Sequence, residues 1–214
     1  MPDLSPTGAA GVGALDYEAL LHEAGFARVA GADEAGRGAY AGPLVAAAVI
    51  LPADRAALDG LRDSKALSAP RREAWAARIR DGARAWAVVR VEADECDRLG
   101  IQEADLQGLR RALLRLEVTP DFVLTDGFPV PGLPCPALAL WKGDQVAACV
   151  SAASILAKVE RDAIMLACDD VYPGYGFARH KGYGTASHQR ALRELGPCPL
   201  HRRSFDPVAA AMRP

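Results

Sequence analysis

The sequence has no apolar stretch long enough to cross a membrane. Its longest apolar run, Leu44 to Leu51, contains eight residues, whereas a membrane-spanning helix needs about 20. Near the start, Asp3 stands where an export signal carries basic residues, and no sustained apolar core follows. We therefore expect neither a membrane-bound nor an exported protein.

Paired cysteines are also lacking. The five cysteines are scattered and contain no Cys-x-x-Cys motif, and the one spacing typical of metal ligands, Cys198 to His201, has no second pair to complete it. Such usage disfavours a disulfide framework and a zinc site. It is typical of a reducing compartment, and we expect a cytoplasmic protein.

A strongly basic charge, common in proteins that bind nucleic acids, is absent, because the net charge is −2. The charge is unevenly distributed, however. From Gly174 onward there are seven basic and two acidic residues, so this part carries +5 and the first 173 residues carry −7. A basic C-terminal region on an acidic body could hold a polyanion, or it could be an ordinary charged surface.

The order of the predicted elements indicates an α/β fold. The predicted strands are Arg28 to Asp33, Leu44 to Leu51, Arg84 to Val91, Phe122 to Asp126 and Ala137 to Trp141. The predicted helices are Asp16 to Gly25, Ser68 to Asp81, Glu103 to Glu117, Val150 to Ala167 and Ala186 to Leu195. Three early strands followed by alternating helices and strands predict a mixed five-stranded sheet flanked by helices.

Acidic residues fall at the ends of three predicted strands. Asp33 and Glu34 end the first strand, Asp126 ends the fourth, and Asp144 follows the fifth. Because ligands bind at the carboxyl ends of strands in α/β sheets, these four acids are expected to converge. Crowded carboxylates need divalent cations among them, and oxygen ligands favour Mg²⁺ or Mn²⁺. Two such ions about 3.5–4 Å apart could hydrolyse a phosphodiester.

Each acid has an ordinary explanation when it is taken alone. Asp126 before Gly127 suits a turn, and Asp144 suits a helix cap. The adjacent Asp33 and Glu34 are harder to explain in this way, because acids are poor strand formers.

The glycine-rich segment from Gly36 to Ala41 admits two interpretations. It fits a permissive dinucleotide-binding pattern, G-x-G-x-x-A. The preceding acids would repel a pyrophosphate, however, and a strand follows where that fold requires a helix. We favour the alternative that Gly36 and Gly38 let the backbone approach a phosphate or sugar while Arg37 supplies a charge.

Lysine is scarce, with four residues against 21 arginines, and three of the lysines flank suspected site segments: Lys65, Lys142 and Lys181. Their compact charges suit phosphate binding, although chance placement explains them too. Tyr183, in a second glycine-rich segment, could stack on a sugar or base or could simply pack.

Together these segments resemble the bacterial type 2 ribonuclease H family, also called ribonuclease HII. The matching segments are Gly31 to Gly38, Asp63 to Ser68, Thr125 to Gly127, Lys142 to Asp144, Ser151 to Asp162, Tyr175 to Tyr183 and His201 to Phe205. The resemblance runs from about Arg28 to Val208. Asp105 departs from it by replacing the usual asparagine, and the first 15 residues are unmatched.

The resemblance implies an endonuclease that hydrolyses the RNA strand of RNA/DNA hybrids. It would also cut 5′ to ribonucleotides embedded in duplex DNA, leaving 5′-phosphate and 3′-hydroxyl ends. Catalysis would use two Mg²⁺ or Mn²⁺ ions bound by four acids: Asp33, Glu34, Asp126 and Asp144. Asp162 lies in a matching segment but is interpreted as a structural acid of a helix.

The resemblance also implies a set of substrate-binding residues: Gly36, Arg37, Gly38, Ser64, Lys65, Lys181 and Tyr183. Within this set, the loop from Gly36 to Gly38 would sense the ribose 2′-hydroxyl, the group that distinguishes RNA from DNA. Tyr183 would pack on the neighbouring deoxyribose.

Three regions are expected. Residues 1–15 form a flexible N-terminus, residues 16–196 a ribonuclease H-like catalytic domain, and residues 197–214 a basic, helical C-terminal extension packed on or beside it. We expect a monomer whose partners are RNA/DNA hybrids and DNA containing ribonucleotides.

Two other functions fit part of this pattern. Another two-metal nuclease of similar fold would need the acids but not Tyr183 or the Gly36–Gly38 loop. A non-catalytic nucleic-acid-binding module is disfavoured, because four acids would face a polyanion.

Overall fold

A computed structural model of the chain describes residues 17–53, 58, 61 and 67–212. The expected flexible N-terminus (residues 1–15) and two of the predicted substrate-binding residues, Ser64 and Lys65, lie outside the described residues.

Five strands form one mixed sheet in the order β3-β2-β1-β4-β5. They are β1 (Val29–Ala35), β2 (Leu44–Ile50), β3 (Ala85–Val91), β4 (Phe122–Asp126) and β5 (Ala137–Leu140). The pairs β1–β2 and β2–β3 are antiparallel, whereas β1–β4 and β4–β5 are parallel. The predicted α/β fold with a mixed five-stranded sheet is confirmed.

Within the described residues, nine helices accompany the sheet. They are α1 (Tyr17–Glu23), α2 (Ala69–Gly82), α3 (Ala93–Leu99), α4 (Ile101–Leu114), α5 (Gly143–Val146), α6 (Ala148–Val171), α7 (Phe177–His180), α8 (Ala186–Leu195) and α9 (Asp206–Ala211). Of these, α3, α5 and α7 were not predicted; α5 and α7 contain only four residues each, too few for a helical repeat to show. Gly100, with a φ of 78°, separates α3 from α4. None of the helices described here is long and apolar enough to span a membrane.

Both faces of the sheet are covered, which explains the uninterrupted apolar sequence of β2. Alternate side chains of a strand point to opposite faces. One set packs with α2 and α6 and comprises Val45, Ala47 and Val49. The other set packs with α4 and comprises Leu44, Ala46, Ala48 and Ile50.

The N-terminal end of helix α6 packs closely against β1. A Cβ atom on Gly31 would come within 2.2 Å of the backbone carbon of Cys149, so only glycine permits this approach. Buried Glu18 of α1 caps the helix, because its carboxylate accepts hydrogen bonds from the N–H groups of Ala148 (2.7 Å) and Cys149 (3.1 Å). The close contact fixes which residues of α6 reach the acid-bearing edge of the sheet.

The basic C-terminal region is not one exposed surface. Arg202 is 0% exposed and donates hydrogen bonds to the carbonyl oxygens of Gly42 and Arg37. Arg203 beside it is exposed. Neither alternative considered for the basic region, a polyanion-binding surface or an ordinary charged surface, therefore applies to Arg202, whose charge is used inside the protein.

Candidate metal centre and substrate cavity

The sheet topology brings together the strand ends that carry acids. Ala32 of β1 lies opposite Thr125 of β4, and Asp126 at the end of β4 lies opposite Leu140 of β5. Parallel pairing places Asp33 and Asp126 at the same edge of the sheet. The strand ends that carry or precede the predicted acids therefore lie at one edge of the sheet.

Asp144 reaches this edge through a tight turn after β5. Lys142 adopts a left-handed conformation (φ 55°) and directs the chain into α5, where Asp144 is only 3% exposed. The carboxylate of Asp126 accepts a hydrogen bond of 2.7 Å from the N–H of Gly143. Asp126 therefore also anchors the turn that carries Asp144.

The neighbouring acids of β1 lie on opposite faces of the sheet, as strand alternation requires. Asp33, 6% exposed, accepts hydrogen bonds from the Ser154 hydroxyl of α6 and from the N–H of Glu34 (2.8 Å). Glu34 interacts electrostatically with Asp105 of α4 on the other side. The two neighbouring carboxylates are thus directed to opposite sides of β1.

Burial and mutual repulsion raise the pKa of both acids, Asp33 and Glu34. Burial, together with the charges of Asp126 and Asp144, raises the pKa of Asp33 to about 7. Burial and the charges of Asp33 and Asp105 raise the pKa of Glu34 to about 9. A nearby cation would reverse both shifts, because it favours the charged carboxylate.

The donor set fits hard divalent cations. It consists of carboxylate oxygens, which suit Mg²⁺ or Mn²⁺ better than zinc. Across the described residues, however, no three acidic, histidine or cysteine side chains are already arranged to hold one ion. The carboxylates instead accept internal hydrogen bonds, as Asp126 does from Gly143, and ion binding would require them to turn.

Arg37 is held from three sides, with its side chain turned toward α4. Its guanidinium pairs with buried Asp105 (3.3 Å), donates to Gln102 (2.8 Å) and stacks over the ring of Phe128 (4.4 Å to the centroid). Asp105, the residue that departs from the family pattern, thus adds a carboxylate beside Glu34 and fixes Arg37.

A cavity of about 340 Å³ opens beside Glu34. It is lined by Gly36, Arg37, Gly38 and Tyr183, which were predicted as substrate-binding residues. Lys181 is not among the lining residues; its ammonium group donates to the carbonyl of Ala178. The fold therefore gathers four of the predicted binding residues in this cavity and leaves Lys181 outside its lining.

The cavity is also lined by three residues that were not predicted as site residues from the sequence: Arg72, Ser154 and Lys158. The ammonium of Lys158 lies 2.7 Å from the carboxylate of Asp162, which also faces Arg72 at 3.7 Å. Ser154 and Lys158 share one side of α6, and this polar stripe on an otherwise apolar helix is the signal that could have identified them.

Tyr183 is fixed through its backbone by buried histidines. The ring nitrogen Nδ1 of His188 donates to the carbonyl of Tyr183 (3.0 Å), and Nε2 of His188 faces Nε2 of His201 at 3.1 Å. Burial lowers the pKa of His188, and burial together with His188 lowers that of His201 to about 4. Both rings therefore stay neutral near pH 7 and hold the tyrosine segment in place.

We expect the metal-free protein to lose thermal stability as the pH rises from about 4 to about 9. In this interval the folded protein keeps protons on Asp33 and Glu34 that the unfolded chain has released, so the free energy of unfolding falls with increasing pH. Melting temperatures measured in EDTA check this expectation. The melting temperature of Asp33→Asn should fall less than that of the wild type up to about pH 7. Added Mg²⁺ should reduce the fall in the wild type. Parallel curves for wild type and variant would contradict the pKa of Asp33.

Comparison with protein families agrees with the geometry. The profile described as Ribonuclease HII matches residues 30–208. Ribonuclease HII of Cutibacterium acnes is 62% identical over 93% of this chain and 98% of its own length. Ribonuclease HII of Salinispora arenicola is 58% identical over 90% of this chain and 72% of its own length.

A solved structure shows the same fold. The crystal structure of ribonuclease H2 from Pyrococcus horikoshii OT3 superposes with a TM-score of 0.76 and 28% identity, covering 86% of this chain and 96% of that one. The chain is therefore similar to these proteins in both sequence and architecture.

Proposed function

This chain belongs to the ribonuclease HII family and is therefore an endonuclease of RNA/DNA hybrids, and we propose that it works through a centre of four acids: Asp33, Glu34, Asp126 and Asp144. The supporting observation is the convergence of three acid-bearing strand ends, where burial and the charges of neighbouring acids raise the pKa of Asp33 and Glu34. Such crowding makes physical sense where cations bind.

The enzyme depends on divalent metal ions, as its family does, and we propose two ions of Mg²⁺ or Mn²⁺ held by the four acids. Ions bound there would activate a water molecule and stabilise the charge on the leaving 3′ oxygen. The protein contributes orientation: Ser154 and the N–H of Glu34 hold Asp33, and the N–H of Gly143 holds Asp126.

Substrate recognition is assigned to the cavity beside Glu34. The backbone of Gly36, Arg37 and Gly38 would test the ribose 2′-hydroxyl by hydrogen bonding, because these residues directly follow the acids. The ring of Tyr183 would pack on the next sugar and favour deoxyribose. Arg72 and Lys158 lie where they can bind substrate phosphates. Ser64, Lys65 and Lys181 stay predictions as binding residues.

The remaining expectations follow from the sequence. We propose a monomeric, cytoplasmic enzyme with a catalytic domain at residues 16–196 and a basic extension at residues 197–214. Support for the location comes from the cysteines, which are all free thiols. Support for a packed extension comes from an isolated bridge between Ala41 and His201 and from buried Val208.

Cleavage of a DNA duplex containing one ribonucleotide tests the proposal. We expect a single cut on the 5′ side of the ribonucleotide in Mg²⁺, with 5′-phosphate and 3′-hydroxyl ends, and no cut in EDTA. These ends fit attack by water with the 3′ oxygen leaving. The matched control is the same duplex made entirely of DNA. Equal cutting of the control, or a 2′,3′-cyclic phosphate product, would refute the mechanism, since the cyclic product requires the 2′-hydroxyl as nucleophile.

A further inference from the structure

Arg161 is a buried charge that has no carboxylate oxygen within ion-pair distance among the described residues, although the charge of neighbouring Asp162 acts on it. Its side chain, on α6, is 0% exposed. Nε donates to the carbonyl of Pro43 (3.0 Å) and one terminal nitrogen to that of Ala41 (3.1 Å), while Nη1 has no hydrogen-bond partner in the part of the chain that the structure describes. Burying a guanidinium in this way is costly, and an apolar side chain would fill the space at lower cost.

The guanidinium lies between the two elements assigned to substrate recognition. On one side, a Cβ atom on Gly36 would come within 1.8 Å of its Nε, so the glycine backbone rests directly against it. On the other side, the Cζ atom lies 5.1 Å from the ring centroid of Tyr183, within cation–π range. One rigid planar group thus separates the glycine loop from the tyrosine ring.

The segment between these elements is tied to the same group. The carbonyl of Gly182, next to Tyr183, accepts hydrogen bonds from the N–H groups of Tyr40 (2.9 Å) and Ala41 (3.3 Å). The carbonyl of Ala41 in turn accepts from Arg161. A displacement of the guanidinium would therefore be transmitted to both recognition elements.

We propose that Arg161 is a specificity-determining positioning residue, which holds the Tyr183 ring at a fixed place relative to the Gly36–Gly38 loop and so lets the enzyme recognise a ribonucleotide followed by a deoxyribonucleotide. This inference rests on the recognition roles proposed above. It gives a function to a charge that folding alone does not require.

Two duplexes of the same sequence test the inference. One contains a single ribonucleotide, and in the other a second ribonucleotide follows it. The ratio of their kcat/KM values is the readout. We expect Arg161→Lys, which keeps the charge and loses the planar group, to lower this ratio about 10-fold. The double variant Arg161→Lys/Tyr183→Ala should have the same ratio as Tyr183→Ala alone, because both substitutions remove the same interaction between the guanidinium and the ring.

Arg202 offers a matched control. It is equally buried and also donates to the backbone of the glycine loop, but it lies over the ring of Phe205 and not that of Tyr183. Arg202→Lys should lower activity on both duplexes and leave their ratio unchanged. An unchanged ratio in Arg161→Lys, or equal effects of the two arginine variants, overturns the inference.

The proposed function can fail separately. If the wild-type protein cuts neither duplex, the proposed function is contradicted. If it cuts both duplexes equally, the proposed roles of Tyr183 and Arg161 are contradicted, whereas the proposed metal centre is not.

Should Arg161→Lys not fold, the interaction can be measured from the tyrosine. Tyr183→Phe keeps the ring over the guanidinium, whereas Tyr183→Leu removes it. We expect the melting temperature of Tyr183→Leu to lie about 2–4 °C below that of Tyr183→Phe. Equal melting temperatures would overturn the inference.

Discussion

Replacing Asp33 or Asp126 by asparagine should lower the rate of cleavage by at least about 10²–10³-fold. An amide keeps the size of the side chain but loses the charge that holds a cation. The fold should survive, because Asp33→Asn removes a carboxylate that burial and its neighbours already hold at a pKa of about 7. In EDTA at pH 8, the melting temperature of Asp33→Asn should therefore exceed that of the wild type.

A control with the same substitution is available at the opposite end of β4. Asp121 accepts hydrogen bonds from the N–H groups of Ala27 (3.1 Å) and Arg28 (2.8 Å), far along the strand from Asp126. Asp121→Asn should cost stability and leave the cleavage rate near that of the wild type. Single-turnover rates in Mg²⁺ decide the matter. Wild-type cleavage by Asp33→Asn or Asp126→Asn would remove the four-acid centre from the mechanism.

The second large effect is expected at Tyr183. Tyr183→Ala should lower kcat/KM on the single-ribonucleotide duplex by roughly 10–100-fold, the range expected for losing one aromatic packing contact with a nucleotide. The loss on a continuous RNA/DNA hybrid should be smaller, because the ring is assigned to the deoxyribose next to the ribonucleotide.

Tyr183→Phe is the matched control, since it keeps the ring and removes only the hydroxyl. We expect this variant to retain most of the activity on both substrates. If Tyr183→Ala lowers both activities by the same factor, the tyrosine contributes to binding in general and does not select the sugar.

The strands and the acids at their ends could be predicted from the sequence because their signals are local. An apolar run such as Leu44 to Leu51 indicates a strand, and Asp126 ends the apolar run that predicts the fourth strand. The structure brings the predicted acids to one edge, whereas their catalytic role stays a prediction.

The surroundings of the acids could not be predicted in this way. Ser154, Lys158 and Arg161 reach the site only because Gly31 lets α6 approach β1, and that contact joins residues far apart in the sequence. For the same reason, the burial of Arg202 could not be predicted from the sequence. Its partners, the carbonyls of Gly42 and Arg37, lie about 160 residues earlier in the chain.

The capping of α6 by Glu18 and the pairing of β1 with β4 have a consequence for biosynthesis. The bond from Ala148 to Glu18 spans 130 residues, and that from Ala27 to Asp121 spans 94. During synthesis on the ribosome, β1 with Asp33 emerges long before β4 and α6. Until β4 has emerged, β1 therefore has no parallel strand to pair with. Non-local pairings of this kind slow folding. During refolding, cleavage activity should therefore return only with the slowest long-range step, after much of the helical structure has formed.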